Sequence, residues 1–418
     1  MNSFDEELNR RLTALREQNL LRGLRRVDSP AGTRIRIDGQ TLLNFSSNDY
    51  LGLANHPRLK AAAIEAIEKF GAGSGSARLV CGSLAPHHEL EETLAHFKGA
   101  EAALSFSTGY ATANGTICAL LGKGDVIVID KLVHACIVDA ARLSGAKIRV
   151  FAHNDVADLE NILKWTEKNI QHSTSNSDKL HFGEHATKSV SRAGIQPRRR
   201  VLIVTESVFS MDGDAAPLRE IVTLKEKYGA WLMVDEAHAT GLYGKNRRGL
   251  AEASGVSDQI EIQMGTLGKA VGASGGYICG SRVLIDFLVN RARSFVFSTA
   301  PVPAAAAAAA TGIRLIQSSE GETRRDRLWT RVEELKLKIK NQPSRISGAI
   351  VPILIGDAAG AVAASAALRM EGFFIPAIRY PTVARDQARL RVTLTAAHET
   401  EEIHLLAAAL NKTVGRQS

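Results

Sequence analysis

Seven short apolar runs, separated by segments with helical periodicity, constrain the fold of this 418-residue chain more than any other feature. Most of the runs are continuous rather than alternating with polar residues; they are Ala102-Phe106, Val126-Ile129, Ile148-Phe151, Val201-Val204, Trp231-Val234, Ile260-Met264 and Gly276-Cys279. A strand that is apolar on both faces is buried on both faces, which is typical of a parallel sheet covered by helices. The sequence therefore predicts an α/β fold with a mostly parallel seven-stranded sheet sandwiched by helices.

The segments on either side of the sheet region predict further structural units. A helix over residues 3–22 and a hairpin that turns at Asp38-Gly39 precede the sheet, and strands near 350–355, 373–378 and 389–394 follow it among helices. We predict an N-terminal arm (1–45), a large domain (46–290) and connecting helices with a small α+β domain (291–418). The polar stretch 166–200 interrupts the pattern and is predicted to be a surface insertion without a role in the chemistry.

Charge and hydropathy narrow the expected partners. The formal net charge is +8, but the basic residues fall in local clusters and aromatic residues are only 5% of the chain. This favours anionic small molecules, and DNA binding through the basic part of the insertion is the weaker alternative. A charged segment at residues 1–26 and the lack of an apolar run of 18 residues indicate a cytoplasmic protein without a membrane partner.

Reactive side chains are expected at the carboxyl edge of the predicted sheet, where ligands bind in open α/β folds. Asp235 follows one apolar run, Glu206 and Ser210 follow another, and His134 follows a third. The segment 107–111 opens a helix whose free N–H groups suit a phosphate. Each feature alone has an ordinary explanation, such as a helix cap for Asp235, but all of them project from one edge.

Lys269 completes this set, because the turn Gly265-Thr266-Leu267-Gly268-Lys269 follows a predicted strand. A nucleotide-binding P-loop is excluded, since that motif needs a glycine at the position of Gln263 and Ser or Thr at the position of Ala270. Pyridoxal phosphate needs an amine for a Schiff base, an acidic partner for its ring nitrogen and an anion site for its phosphate. The residues therefore favour this cofactor, and the spacing of the cysteines predicts no metal site.

Six motifs in order carry a resemblance to a known family. They are Asn44-Phe-Ser-Ser-Asn-Asp-Tyr-Leu-Gly52, Phe151-Ala-His-Asn-Asp155, Val208-Phe-Ser-Met-Asp-Gly-Asp214, Val234-Asp-Glu-Ala-His238, Thr266-Leu-Gly-Lys269 and Ala388-Arg-Leu-Arg-Val-Thr-Leu-Thr-Ala-Ala-His398. From about Leu24 to Leu410 the chain resembles the pyridoxal-phosphate-dependent α-oxoamine synthases, which have fold type I and act as homodimers with sites at the subunit interface. The resemblance thus implies both a fold and a set of roles.

The resemblance implies a role for each of fourteen residues. Lys269 would form the Schiff base, Asp235 would pair with the ring nitrogen, and His134 would stack on the ring. The other implied cofactor contacts are His238 and Ser210 near the ring hydroxyl, and Gly109, Tyr110 and Thr266 at the phosphate. The implied substrate contacts are Asn48 and Arg379 for the amino-acid carboxylate, and Arg25 and Thr382 along the acyl-CoA side. Ser298-Thr299 would reach a neighbour's phosphate.

The reaction implied by the resemblance is a decarboxylative condensation of L-alanine with pimeloyl-CoA or the equivalent acyl-carrier-protein thioester. Family members that use glycine, namely glycine C-acetyltransferase and 5-aminolevulinate synthase, remain alternatives because the cofactor residues do not separate them. A catalytically inactive scaffold subunit is an alternative from another class. Two positions depart from the family pattern: Val133 stands where asparagine is usual, and Tyr380 stands where proline is usual. Tyr380 bears on the choice of acyl chain.

Overall fold

The predicted central sheet is present in the computed structural model, which describes residues 2–175, 199–339 and 348–414. The strands of the described ranges are β1 (Arg34–Ile37), β2 (Gln40–Asn44), β3 (Ala102–Phe106), β4 (Val126–Asp130), β5 (Lys147–Phe151), β6 (Val201–Glu206), β7 (Trp231–Asp235), β8 (Ile262–Thr266), β9 (Gly276–Gly280), β10 (Ile350–Gly356), β11 (Phe373–Phe374), β12 (Ala377–Ile378) and β13 (Ala388–Thr393). The large sheet has the order β3-β9-β8-β7-β6-β4-β5. Each of the seven predicted runs therefore supplies one of its strands.

Six of the seven strands of this sheet run in the same direction. β8, β7, β6, β4 and β5 pair in parallel, whereas β9 is antiparallel to both of its neighbours, β8 and β3. The carboxyl ends of the six other strands consequently lie at one edge, together with the amino end of β9. The prediction of a mostly parallel sheet is confirmed, and this edge is where ligands are expected.

Helices cover both faces of the sheet. In chain order they are α1 (Ser3–Glu17), α2 (Pro57–Phe70), α3 (Ala85–Lys98), α4 (Gly109–Leu120), α5 (Ala135–Ser144), α6 (Val156–Ser175), α7 (Leu218–Tyr228), α8 (Leu250–Ser254), α9 (Arg282–Arg291), α10 (Arg293–Val296), α11 (Pro303–Gln317), α12 (Ser319–Lys338), α13 (Ala358–Met370) and α14 (Thr400–Val414). Alternate residues of β4 enter different cores: Ile127 and Ile129 pack with α4 and α5, and Val126 and Val128 pack with α6 and α7. Burying each such side chain contributes roughly 1.5–3 kcal/mol, so both faces stabilise the sheet.

The N-terminal hairpin is attached to the C-terminal part of the chain. β1 and β2 pair in antiparallel register across a turn in which Asp38 and Gly39 both have positive φ, 52° and 76°. β2 also pairs in parallel with β11. The single strand predicted near 373–378 is therefore two short strands, and β12 instead joins β10 and β13. Pro376 lies between them and lacks the N–H that a continuous ladder needs.

Two other boundaries differ from the predictions. The first helix ends at Glu17 rather than at residue 22, because Asn19 adopts a left-handed φ of 56°, and no residue of α1 is buried. The predicted insertion overlaps α6, whose buried Thr166 donates its hydroxyl to the Ile162 carbonyl over 2.7 Å. Residues 176–198 lie outside the described ranges. The limits of the three units remain predictions.

Within the described ranges, no helix combines the length and the apolar character that crossing a membrane requires. These residues also contain no cluster of three or more His, Cys, Asp or Glu side chains arranged to hold a metal ion.

Candidate active site

The ends of four neighbouring strands bring polar side chains to one edge of the sheet. Asp130, Glu206, Asp235 and Thr266 are the last residues of β4, β6, β7 and β8. Glu206 and Asp235 are direct partners across the β6–β7 register. Lys269 follows β8 by three residues. The sheet thus places a lysine opposite two buried carboxyl groups.

The Lys269 amine lies at one end of a buried chain of hydrogen bonds. Its Nζ is 2.7 Å from His238 Nε2, and His238 Nδ1 is 2.6 Å from the Tyr50 hydroxyl. Burial lowers the pKa of His238 well below its ordinary value, and the positive charge of Lys269 lowers it further. A neutral imidazole has one donor and one acceptor nitrogen, so it can accept from the amine on one side while donating to Tyr50 on the other.

Burial also lowers the pKa of Lys269, while Asp235 and Glu206 act in the opposite direction. A lower pKa leaves a larger share of the amine neutral, which is the form that attacks a carbonyl group. This lysine is therefore chemically different from an exposed one.

The two carboxyl groups beside Lys269 are buried next to each other, which disfavours a negative charge on both. Asp235 is 5% exposed and Glu206 is 2% exposed. Burial, and after it the charge of the neighbouring Asp235, raises the pKa of Glu206 to about 8. Burial also raises the pKa of Asp235, and the positive charge of Lys269 opposes this rise. Two adjacent buried carboxylates repel each other, so a proton on Glu206 or a positive charge beside Asp235 stabilises the pair.

His134 precedes α5 and caps its first turn. Its Nδ1 accepts a hydrogen bond from the Cys136 amide over 3.2 Å, and its own amide donates to Glu206 Oε1 over 2.5 Å. The residue is exposed, yet the protein atoms around the ring displace water and lower its pKa, an effect opposed by Asp235. A neutral, accessible imidazole thus stands beside Asp235 and Lys269.

The start of α4 forms an anion site next to β8. Thr108 caps the helix by accepting the Ala111 amide over 3.0 Å, and a side chain placed on Gly109 would lie 3.9 Å from Thr266 Cβ. The Tyr110 phenol turns away to donate to Asp139 over 2.9 Å. The first N–H groups of a helix lack partners within the helix, so those of Gly109 and Tyr110 are available to a phosphate beside the Thr266 hydroxyl.

Asn48 contacts an arginine that the sequence analysis did not select. Arg391 Nη1 donates to Asn48 Oδ1 over 3.1 Å, and Arg391 Nε donates to the Ser210 carbonyl over 2.5 Å. Arg391 is 7% exposed, and its positive charge contributes to the low pKa of Lys269. The motif Ala388–His398 contained an indication of this residue, because Arg389 and Arg391 are two residues apart on a predicted strand and therefore share a face.

The remaining predicted substrate residues, Arg25, Arg379 and Thr382, form a group with Arg22. Arg379 Nη2 donates to the Leu21 carbonyl over 2.7 Å, and Arg22 donates to the Thr382 hydroxyl over 3.2 Å. Burial lowers the pKa of Arg379, and the charges of Arg22 and Arg25 lower it further. Arg25 also stacks over the Phe374 ring at 5.9 Å. Arg379 is thus part of a basic cluster with the N-terminal segment, while the partner of Asn48 is Arg391.

The residues present fit pyridoxal phosphate. A protonated ring nitrogen would place positive charge against Asp235, which would stabilise the buried carboxyl pair, and the open start of α4 suits the phosphate. Lys269 offers an amine whose pKa is already lowered. The donors, the acceptors and the amine therefore match the three parts of this cofactor.

This fold and site define the class of pyridoxal-phosphate-dependent enzymes of fold type I. The model of the aminotransferase class I and II family matches residues 40–410, and the chain belongs to that family.

Three relatives illustrate the similarity. The 8-amino-7-oxononanoate synthase of Geobacter sulfurreducens is 44% identical over 409 residues, which cover 97% of each chain. A solved serine palmitoyltransferase from S. paucimobilis, with a bound PLP-myriocin adduct, has a TM-score of 0.86 at 28% identity and covers 100% of this chain and 99% of its own. A solved 8-amino-7-oxononanoate synthase from Francisella tularensis has a TM-score of 0.71 at 25% identity and covers 90% of this chain and 98% of its own.

Proposed function

We propose that the chain catalyses the reaction of 8-amino-7-oxononanoate synthases, a step of biotin biosynthesis. In this reaction L-alanine condenses with pimeloyl-CoA, or with pimeloyl-acyl-carrier protein, and carbon dioxide and the thiol carrier leave. Full-length identity of 41–45% to several such enzymes supports the substrate class. The observation that carries the chemistry is the Lys269 amine between His238 and the pair Asp235 and Glu206.

The described residues supply contacts for each part of the cofactor. Lys269 would attach the aldehyde, Asp235 would pair with the ring nitrogen and His134 would cover the ring. The further cofactor contacts that we propose are His238 and Ser210 at the ring hydroxyl, and the amides of Gly109 and Tyr110 with the Thr266 hydroxyl at the phosphate. When bound, pyridoxal phosphate supplies a ring that withdraws electrons from the α-carbon of the amino acid.

Proton transfer is assigned to the chain's own groups. Lys269 Nζ is the group that would remove the α-proton of alanine, and Lys269 or His134 would return a proton after carbon dioxide is lost. Burial keeps the pKa of Lys269 below its ordinary value, which brings the amine closer to the pH at which a general base is effective. Asp235 is the group that would remain negative and stabilise positive charge on the ring nitrogen of the bound cofactor.

Substrate binding divides between two arginine sites. We assign the carboxylate of L-alanine to Asn48 and Arg379, and we add Arg391, because Arg391 is buried beside the amine and a guanidinium matches a carboxylate. Arg25 and Thr382 lie in the basic cluster around Arg379 and Arg22, and we assign them to the acyl-CoA side, where positive charge suits the phosphates of CoA or an acidic carrier protein. Tyr380, whose ring is 42% exposed beside this cluster, is placed to affect the choice of acyl chain.

Arg391→Lys is expected to raise the KM for L-alanine about tenfold or more, since lysine keeps the charge but loses the planar fork that holds a carboxylate. Steady-state kinetics with varied L-alanine measure this. Arg389→Lys is the matched control, because Arg389 lies on the same strand as Arg391 but its guanidinium pairs with Asp212. An equal rise of KM in both variants would contradict the assignment to Arg391.

The choice among family members is tested by acyl-thioester profiling of the purified holoenzyme. We expect turnover with L-alanine and pimeloyl-CoA, and a kcat/KM at least about a hundredfold lower for glycine with acetyl-CoA or succinyl-CoA. Preference for glycine with acetyl-CoA would identify glycine C-acetyltransferase activity instead. Failure of the protein to bind pyridoxal phosphate would favour an inactive scaffold.

We also propose that two copies associate, with Ser298 and Thr299 directed toward the neighbour's phosphate site. Phe297, immediately before them, is 71% exposed in the single chain. The mass of the holoenzyme from light scattering tests this association, and a single-chain mass of 44.9 kDa would contradict it.

A further inference from the structure

His153 connects two carboxylates that belong to different loops of the site. Its Nδ1 is 3.0 Å from Asp130 Oδ1, and its Nε2 is 2.8 Å from Asp214 Oδ2. His153 follows β5, the edge strand of the sheet, which pairs with β4, and β4 in turn pairs with β6. The edge of the Phe209 ring packs against the imidazole with centroids 4.3 Å apart. The imidazole is therefore held on three sides by named groups.

Asp130 links this histidine to the loop that carries His134. The Asp130 carboxylate also accepts the Leu132 amide over 2.7 Å and the Asn154 amide over 2.9 Å, and its carbonyl accepts the Val133 amide over 3.3 Å. The carboxylate is buried, with its side chain 0% exposed. Because His134 comes one residue after Val133, a shift of Asp130 would be transmitted to its backbone.

Asp214 links the same histidine to the loop that carries Ser210. The Phe209 amide donates to the Asp214 carbonyl over 3.0 Å, and the Gly213 amide donates to the Phe209 carbonyl over 2.8 Å. These bonds close a tight loop in which Ser210 follows Phe209. The position of Asp214 therefore fixes the position of Ser210.

Donors are scarce in this cluster. Asn154 Nδ2 donates to Asp214 Oδ2 over 3.0 Å, yet two buried acceptor atoms of the described structure, Asp214 Oδ1 and Asn154 Oδ1, have no hydrogen-bond partner. Burial lowers the pKa of His153, but bonds to Asp130 and Asp214 outweigh that effect and raise it to about 9. An imidazolium donates from both nitrogens, so one side chain serves both carboxylates.

We propose that His153 is a positioning residue that sets the spacing between His134 and Ser210 by bridging Asp130 and Asp214. It touches neither substrate nor cofactor. The inference rests on the proposed function, because His134 and Ser210 are cofactor contacts there. It gives a role to the motif Phe151-Ala-His-Asn-Asp155, which the reaction itself leaves without one.

Two substitutions separate the halves of the bridge. His153→Asn keeps an amide nitrogen near the place of Nδ1 and so retains a donor for Asp130, whereas His153→Gln keeps one near the place of Nε2 and retains a donor for Asp214. If both loops must be held, each variant lowers kcat about tenfold or more and raises the Kd of the apoenzyme for pyridoxal phosphate by a similar factor. The KM for L-alanine should change less than about twofold, since Asn48 and Arg391 are untouched.

A double variant tests whether the histidine acts through Asp214. Once His153→Asn has removed the bond, adding Asp214→Asn should lower kcat by less than about twofold, although Asp214→Asn alone lowers it about as much as His153→Asn. His56→Asn is the matched control, because His56, like His153, pairs with a carboxylate, here that of Glu320, over 3.0 Å. It should leave kcat and the Kd for the cofactor unchanged.

The result that overturns the proposal is a fall in Tm for His153→Asn and His153→Gln with unchanged kcat and unchanged Kd for pyridoxal phosphate, because that is what a purely structural bridge would give. Titration of the apoenzyme needs no substrate. A wild-type protein that binds the cofactor but does not join alanine to a pimeloyl thioester would contradict the proposed function. The comparison of Kd values for pyridoxal phosphate would still decide the role of His153. A wild-type protein that binds no cofactor would overturn both.

Discussion

Lys269→Ala is expected to abolish turnover, with a loss of kcat of at least about a thousandfold, and to leave pyridoxal phosphate bound without a covalent link. Alanine removes both the amine that attaches the cofactor and the base that takes the α-proton. Treating the wild-type holoenzyme with borohydride should fix the cofactor to the chain, and mass spectrometry should place it on Lys269. The same treatment of the variant should leave the cofactor removable by dialysis.

The fold should survive this substitution. Burial disfavours the charged amine of Lys269, so its removal should change the free energy of unfolding by less than about 1 kcal/mol. Lys168→Ala, at an exposed position on α6, is the control and should keep full activity. Activity of Lys269→Ala close to that of wild type, or fixation of the cofactor at another lysine, would remove Lys269 from the mechanism.

The strands of the large sheet could be predicted from sequence because their signal is local. Runs such as Val126-Ile-Val-Ile129 are apolar on both faces and need no knowledge of their neighbours to be recognised. The boundary of β8 was less clear, because Ile260 looks like the start of the strand. A short turn at Ser257–Gln259 occupies the preceding residues, and pairing begins only at Ile262. Boundaries depend on such turns more than on apolar content.

The space available at Gly265 depends on tertiary packing. Gly265 was predicted to lie in the turn before Lys269, but it belongs to β8, and a Cβ there would lie 2.4 Å from the Tyr277 ring and hydroxyl. The position is small because Tyr277 of the neighbouring strand β9 packs over it. The sequence shows that a glycine is present but does not show which group needs the space.

Some features of the site are indicated by local sequence patterns, and others depend on contacts between distant parts of the chain. Asp235 ends a strand, and His134 and Lys269 come four and three residues after one, so the strand prediction also placed these residues at one edge. The pairing of Asn48 with Arg391 joins residues 343 positions apart, and no local pattern indicates it. The Tyr50 hydroxyl that completes the chain to Lys269 is likewise 188 positions from His238. Long-range contacts of this kind require the tertiary structure.

Asp235→Asn is the second substitution with a large expected effect, a fall in kcat of at least about a hundredfold with the covalent attachment of the cofactor retained. Asparagine has nearly the same shape and can still accept the Ala237 amide, which lies 2.9 Å from Asp235 Oδ1. It carries no charge, however, and so cannot hold a proton on the ring nitrogen. The cofactor should therefore bind and react with Lys269 but withdraw electrons less well from the α-carbon.

Glu206→Gln is the comparison that makes this prediction specific. The pKa of Glu206 is raised to about 8, so near pH 7 the group mostly carries its proton already, and a neutral amide replaces it with little change in charge. We expect its kcat to fall by less than about tenfold, and at pH 9, where wild-type Glu206 is mostly ionised, the two enzymes should differ more. Steady-state kinetics at both pH values, together with borohydride fixation, measure these effects. Equal losses for Asp235→Asn and Glu206→Gln at pH 7 would mean that both carboxyl groups are charged and that the assignment of the anion to Asp235 alone is wrong.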